Sequence, residues 1–128
     1  MADNINILTL ASAMARHAAQ RHNVLSENIA NSDTPNYKAK DLEPFAEAFM
    51  RISQSGQSFS QQLNNAHGNS IWREETITGP GITSPNGNTV SLEDQMMRSI
   101  EAQQDHMAAT AIYKKAVGLL RTSLGRGA

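Results

Sequence analysis

The stretch of sequence that decides the fold is residues 28–38, which read Asn28-Ile29-Ala30-Asn31-Ser32-Asp33-Thr34-Pro35-Asn36-Tyr37-Lys38. Pro35 has no N–H to donate and disfavours a helical backbone at Thr34, so a preceding helix has to end here. Asn36 is one of the few residue types other than glycine that tolerate a positive φ. The stretch therefore predicts a helix end studded with amides, then a sharp turn, and then an extended exit.

Two long helices are predicted at the two ends of the chain. Residues 5–31 carry apolar or small residues every three or four positions, at Leu8, Ala11, Ala15, Ala18, His22, Leu25 and Ile29. Residues 92–124 carry a similar, interrupted repeat at Met96, Ile100, Met107, Ala111, Val117, Leu120 and Leu124. Because each apolar stripe needs a partner, we expect the two helices to pack antiparallel as a coiled-coil-like hairpin.

The middle of the chain, residues 32–91, is predicted to be irregular. Residues 53–70 are dominated by Ser, Gln, Asn and Gly, so we expect a flexible loop or an element that only a partner orders. A short amphipathic piece is expected at 43–52 and a strand could form at 71–78. Turns are expected at 79–81 and 84–87, which contain Gly and Pro. The expected fold is therefore mainly all-α, as a single domain over residues 1–128 with an irregular middle that could contain β-structure.

Composition excludes several classes of protein. The net charge is −1 with no clustered basic face, which argues against a nucleic-acid binder. The absence of cysteine removes disulfides, thiol nucleophiles and thiolate metal sites. No apolar run approaches the roughly 20 residues of a membrane span, and residues 1–20 lack the apolar core of a signal peptide. Aromatic residues make up only 5% of the chain, so we expect neighbouring molecules to complete its burial.

Residues with catalytic potential are few and scattered. His17 and His22 are five positions apart, which is not the i, i+4 spacing of a helical zinc pair. There is no Gly-x-Ser-x-Gly sequence and no glycine-rich phosphate loop. Glu74 and Glu75 beside Arg73 are interpreted as an exposed charge group. We therefore predict that the chain is not an enzyme and has no metal, no cofactor and no small-molecule substrate; a small hydrolase has no set of residues to support it.

Two blocks of the sequence resemble a known family. Residues 28–38 resemble the N-terminal signature of the flagellar rod and hook family, Asn-x-Ala-Asn-x-x-Thr-Pro-Gly-Tyr-Lys, with Asn36 where the family usually has Gly. Residues 87–93, Gly-Asn-Thr-Val-Ser-Leu-Glu, resemble the strip that opens the C-terminal helix of proximal rod subunits, with Ser91 in place of the usual acidic residue. The resemblance covers roughly residues 5–45 and 85–125.

This resemblance implies a structural subunit of the bacterial flagellar basal-body rod, the drive shaft that transmits torque, and the short chain favours the proximal rod. The partners that it implies are copies of this chain, other rod subunits, the inner-membrane ring protein, the hook–basal body adaptor protein and the flagellar export apparatus. It also implies a location in the periplasmic rod, reached by export without a cleaved signal peptide. A sister proximal rod protein of the same family and a cytoplasmic helical adaptor or export chaperone are the alternatives.

The residues expected at subunit interfaces lie on the two helical stripes and in the turn between them. For Asn28, Asn31 and Thr34 two roles are open, namely local capping of the helix end or lateral hydrogen bonds that set the register between subunits. The methionines of the second helix could pack inside the bundle or form an adaptable binding surface. The full set is Leu8, Ala11, Ala18, Leu25, Asn28, Ile29, Asn31, Thr34, Pro35, Tyr37, Met96, Ile100, Met107, Ala111, Val117, Leu120 and Leu124.

Overall fold

The computed structural model describes residues 7–56, 58–65, 71–77 and 83–125. The elements in chain order are α1 (Ile7–Ala30), β1 (Lys40–Leu42), α2 (Phe45–Gln54), α3 (Phe59–Asn65), β2 (Glu74–Thr76) and α4 (Leu92–Gly125). The predicted mainly α-helical fold with two long terminal helices is confirmed. Residues 5 and 6 of the predicted first helix lie outside the described residues.

The two long helices pack side by side in opposite directions. Asn28, at the end of α1, bonds Gln95 near the start of α4, whereas Ile7 and Ala116 line one groove at the other end. Ser91 caps α4 as its position suggests, since its hydroxyl accepts the N–H of Asp94 at 3.3 Å.

The seam between the helices is built from small side chains. The buried residues of α4 are Gln95, Ala102, Ala109 and Ala116, spaced by seven, and the buried residues Ala11, Ala18 and Leu25 of α1 have the same spacing. A seven-residue repeat keeps one face of each helix towards its partner as the pair winds left-handed. The alanines leave room for the two backbones to approach closely.

The prediction that the Met/Leu stripe of α4 packs against α1 is therefore wrong. Met96, Ile100, Met107, Ala111, Leu120 and Leu124 are all exposed. Gln103, Thr110 and Lys114 interrupt that stripe, whereas the alanine repeat beside it keeps the regular spacing that an antiparallel pair requires.

A second core, rich in aromatic rings, lies between α1 and the middle of the chain. Its buried members are Ala13, Val24, Leu42, Ala48, Ile52, Phe59 and Trp72. The prediction that residues 53–70 form a loop without internal order is wrong for α3, because Phe59 is only 1% exposed. The Phe59 ring lies 5.3 Å from that of Phe49 and 6.4 Å from that of Trp72. One large aromatic side chain thus orders a segment whose average composition is polar.

The other elements of the middle follow the prediction more closely. The amphipathic piece at 43–52 corresponds to α2. The strand expected within 71–78 is β2, which pairs antiparallel with β1 so that Lys40 lies opposite Thr76. The turn at 84–87 is closed by the N–H of Gly87, which donates to the carbonyl of Ser84 at 2.8 Å. The turn expected at 79–81 lies outside the described residues.

Candidate functional site

Residues 28–38 and residues 87–93 fold against each other at the end of α1. The side-chain amide of Asn88 donates to the carbonyls of Asn31 at 2.8 Å and of Thr34 at 2.7 Å. Carbonyls at a helix C-terminus have no partner within the helix, so a side chain from 57 residues away completes this end. We call residues 28–38 together with 86–91 the motif junction.

Asn28 lies at the centre of the motif junction and is fully buried. Its amide nitrogen donates to the Lys40 carbonyl at 2.6 Å and to Oε1 of Gln95 at 2.8 Å. Its Oδ1 accepts the Tyr37 hydroxyl at 3.1 Å and the Lys40 N–H at 3.0 Å. Because both donor and both acceptor sites are used within the chain, Asn28 joins α1, β1 and α4. This role is neither of the two that the sequence left open.

Asn31 and Thr34 show the local role. The amide nitrogen of Asn31 donates to the Glu27 carbonyl at 2.8 Å, and the Thr34 hydroxyl donates to Oδ1 of Asn31 at 3.0 Å. Both bonds stay within the last turn of α1 and the turn that follows it. A lateral role between subunits stays a prediction for these two residues.

The turn after Pro35 has the predicted left-handed backbone. Asn36 has φ 62°, which confirms the expectation that asparagine replaces glycine there. Its N–H donates to the Asn86 carbonyl at 2.9 Å. Gly87, with φ 84°, lies so close that a Cβ on it would be 2.2 Å from Oδ1 of Asn36. The two turns therefore interlock, and any side chain at position 87 would strain the backbone and displace the Asn36 amide.

Substitutions at Asn36 should separate backbone conformation from side-chain chemistry. We expect Asn36→Gly to unfold at or above the temperature of the unsubstituted protein, because glycine adopts this φ freely. Asn36→Val should lose about 1–3 kcal/mol, since a β-branched residue is strained at positive φ. Thermal unfolding followed by circular dichroism measures both. Equal stability of the two variants would contradict the left-handed turn.

A group of charged side chains ties β1 to both long helices. Asp41 is 7% exposed and accepts two bonds from Arg21, at 3.0 and 3.1 Å, and one from Arg98 at 2.7 Å. Arg21 also bonds Glu101 at 3.2 Å, and Arg98 bonds Asp94 at 2.8 Å. Burial alone would raise the pKa of Asp41, but the bonds from the two arginines outweigh it and hold that pKa below its ordinary value. We call these five residues the charge cluster.

His17 links α1 to the aromatic core. Its ring meets Phe45 and Trp72 edge-on at 5.7 and 5.1 Å, and its Nε2 lies 2.7 Å from the Glu43 carbonyl. Burial lowers the pKa of His17, although the bond to this carbonyl opposes that effect. Burial would raise the pKa of Glu43, but hydrogen bonds from Arg51 and the Arg73 N–H hold it below its ordinary value.

The pKa shifts predict that stability falls in acid. The folded-state pKa of His17 is lower than its unfolded value of 6.5, so the unfolded chain takes up this proton first and stability begins to fall below about pH 6.5. Asp41 and Glu43 have lowered folded-state pKa values, so their contribution is lost at still lower pH, as the carboxylates become protonated. Urea unfolding from pH 7.5 to 3.5 should show both phases. His17→Gln should remove only the first, and an unchanged first phase would assign it to another group.

A cleft of about 710 Å³ lies between the helical hairpin and the two strands. Met14, Phe45 and Ile77 contribute apolar surface to it, and Glu75 and Asp105 are exposed acids on its lining. Among the described residues, no group of three His, Asp or Glu side chains is placed to hold a metal ion. In the same part of the chain, no helix has the length and apolar character needed to cross a membrane.

The structure divides the predicted interface residues by exposure. Ala11, Ala18, Leu25 and Asn28 are buried within the chain, and Leu8, Asn31, Tyr37 and Val117 are half-buried. The exposed members are Ile29, Thr34, Pro35, Met96, Ile100, Met107, Ala111, Leu120 and Leu124. An interface role for the set stays a prediction, and the buried members have a role inside the subunit.

The face of α4 turned away from α1 exposes a run of large apolar side chains. Met96 is 63% exposed, Met97 65%, Ile100 54% and Met107 62%. We call these four residues and Ala111 the outer stripe. The interpretation that the methionines pack inside the bundle is wrong for this chain, because alanines fill the seam. Contiguous apolar surface of this kind marks interaction sites on soluble proteins.

Several residues that build this arrangement were not found from the sequence. Gln95 belongs to the seven-residue repeat of the alanine seam, and that spacing was a usable signal. Asn88 lies within the second block, but nothing local indicates that it caps a distant helix. Asp41 has partners 20 and 57 residues away, so no local pattern indicates its role.

Comparison with known proteins agrees with this geometry. A sequence model described as flagella basal body rod protein matches residues 7–38, which span α1 and the first part of the motif junction. The flagellar basal body rod protein FlgB of Agrobacterium fabrum is 30% identical over 117 residues, covering 86% of each chain. FlgB of Bacillus subtilis is 28% identical over 94% of each chain, and FlgB of Escherichia coli is 50% identical over 38 residues, 30% of this chain and 27% of that protein. The chain belongs to the family of the flagellar basal body rod protein FlgB.

Proposed function

We infer that the chain is a structural subunit of the flagellar basal-body rod, in its proximal part. The observation that carries this inference is the outer stripe, a row of large apolar side chains that the alanine-packed hairpin leaves open to neighbours. Because the chain belongs to the FlgB family, the rod is the assembly in which such neighbours are expected.

The subunit suits the transmission of force rather than chemistry. The alanine seam, the fully bonded Asn28 and the charge cluster hold α1, β1 and α4 in one fixed arrangement. Torque applied to one subunit then passes to the next through many side-chain contacts. The family consists of structural rod proteins, and this arrangement needs no cofactor.

We propose that the exposed members of the predicted interface set contact copies of this chain and other rod subunits. Contacts with the inner-membrane ring protein, the hook–basal body adaptor protein and the export apparatus are proposed from the family resemblance alone. The same resemblance supports a location in the periplasmic rod, reached by export without a cleaved signal peptide. We also propose that residues 1–128 form a single domain.

The alternative of a cytoplasmic adaptor or export chaperone is not favoured. The relatives described above are named as rod proteins, and their similarity extends over most of this chain. Similarity to FlgB likewise disfavours a sister rod protein.

The test is to locate the chain in the cell. A tagged copy, in a strain that lacks the native gene, should restore swimming and appear in purified basal bodies. Deletion of the gene should leave basal bodies without complete rods. A chain recovered only from the cytoplasm, in cells that swim, would contradict the proposed function.

A further inference from the structure

Charge is unevenly distributed along α4. Residues 92–105 contain four acids, Glu93, Asp94, Glu101 and Asp105, and one base, Arg98. Residues 106–125 contain Lys114, Lys115 and Arg121 and no acid. The acidic half of the helix lies beside the cleft, and the basic half extends away from it. One subunit therefore carries two surfaces of opposite charge.

The acidic surface is part of a concave site. Glu101 and Asp105 of α4 and Glu75 of β2 line the cleft and are exposed, and Met14 and Phe45 contribute apolar surface to the same cleft. Asp41 is bonded by Arg21 and Arg98, and Glu101 is bonded by Arg21, so Glu75 and Asp105 supply the negative charge that a partner would meet. A partner that fits this cleft presents an apolar surface with a basic group beside it.

The basic surface of α4 has this composition. Met107, Ala111 and Lys114 follow one another at spacings of four and three, so they lie along one helical face, and all three are exposed. Arg121 lies seven residues beyond Lys114 on the same side. Within the described part of the chain, neither Lys114 nor Arg121 forms an ion pair. This face points away from α1, whereas the cleft lies on the α1 side, so one subunit cannot fill its own cleft.

We propose that the cleft of one subunit receives the Met107–Lys114 face of α4 from a second copy of this chain. The contact joins two different surfaces, so each copy donates one face and accepts another. Repetition of such a contact produces a ring or a helical array rather than a closed dimer. This inference rests on the proposed rod function and specifies which surfaces meet between copies.

Cysteine pairs can test the contact directly, because the chain contains no native cysteine. Asp105→Cys with Lys114→Cys should give disulfide-linked multimers after oxidation of purified basal bodies with copper phenanthroline. The two positions in one chain are about 14 Å apart along a helix, beyond the reach of about 7 Å between Cα atoms, so each link must join two copies. The matched control is Gln104→Cys with Lys114→Cys, since Gln104 is exposed and does not line the cleft.

Charge exchange provides a second readout in the same cells. Asp105→Lys and Lys114→Asp should each reduce swimming and rod completion, because like charges then meet, and the double variant should restore both.

Disulfide-linked multimers from the test pair of cysteines, with little product from the control pair, support the proposal. Equal products from both pairs, no product from either, or no rescue in the double variant overturn it. Basal bodies that contain the chain without these links overturn this contact and leave the rod function intact, whereas absence of the chain from basal bodies overturns the function itself.

Discussion

Asn28→Leu is expected to unfold the protein or to lower its free energy of unfolding by at least about 3 kcal/mol. The change leaves the Lys40 N–H and carbonyl, the Tyr37 hydroxyl and the Gln95 amide without their partner. An unpaired buried polar group costs about 1–3 kcal/mol, and a small domain has only about 5–15 kcal/mol in total. Leucine has the same number and branching of side-chain heavy atoms as asparagine, so the lost hydrogen bonds rather than an empty cavity dominate the effect. Urea unfolding followed by circular dichroism measures the loss.

The matched control is Asn31→Ala, just beyond the last residue of α1. Asn31 is half-buried, and its side chain bonds only groups of its own turn. We expect a loss of about 1 kcal/mol or less, as for other local caps. A similar loss in both variants would mean that Asn28 also acts locally and does not join the three elements.

The terminal helices could be predicted from sequence because their signals are local. The amide-rich end of α1, Pro35 and the left-handed Asn36 are encoded within a few residues, and the structure has them as expected. The face by which α4 contacts α1 could not be predicted in the same way. Hydrophobicity selects the methionines and leucines, but packing two helices closely selects the regular alanine repeat.

Contacts between segments that are distant in sequence were the least predictable part of the site. Asn88 caps a helix 57 residues away, and Asp41 bonds arginines from both long helices. Such contacts depend on the tertiary arrangement, which a single sequence does not display. Phe59 shows the same effect in the core, since one ring within a polar segment was enough to order α3.

Met107→Asp is expected to abolish swimming while leaving the isolated subunit folded. Met107 is 62% exposed, so the new carboxylate stays hydrated in the monomer and costs only the small difference in helix propensity, about 0.5 kcal/mol. In an assembled rod the same carboxylate would be buried against a neighbour without a partner, which costs several kcal/mol for each copy. Circular dichroism of the purified subunit, swimming assays and electron microscopy of basal bodies measure the three consequences.

Two further variants serve as controls for the Met107→Asp prediction. Met107→Leu keeps an apolar side chain of similar size on the outer stripe and should swim nearly as well as the unsubstituted strain. Leu25→Asp places the same charge at a fully buried position of the seam, so it should fail earlier, by unfolding the subunit itself. If the hairpin stays folded in Met107→Asp but unfolds in Leu25→Asp, the outer stripe acts in assembly and the seam acts in folding. Normal swimming with complete rods in Met107→Asp would show that the outer stripe does not contact a neighbour at this position, because a buried, unpaired carboxylate there could not be tolerated.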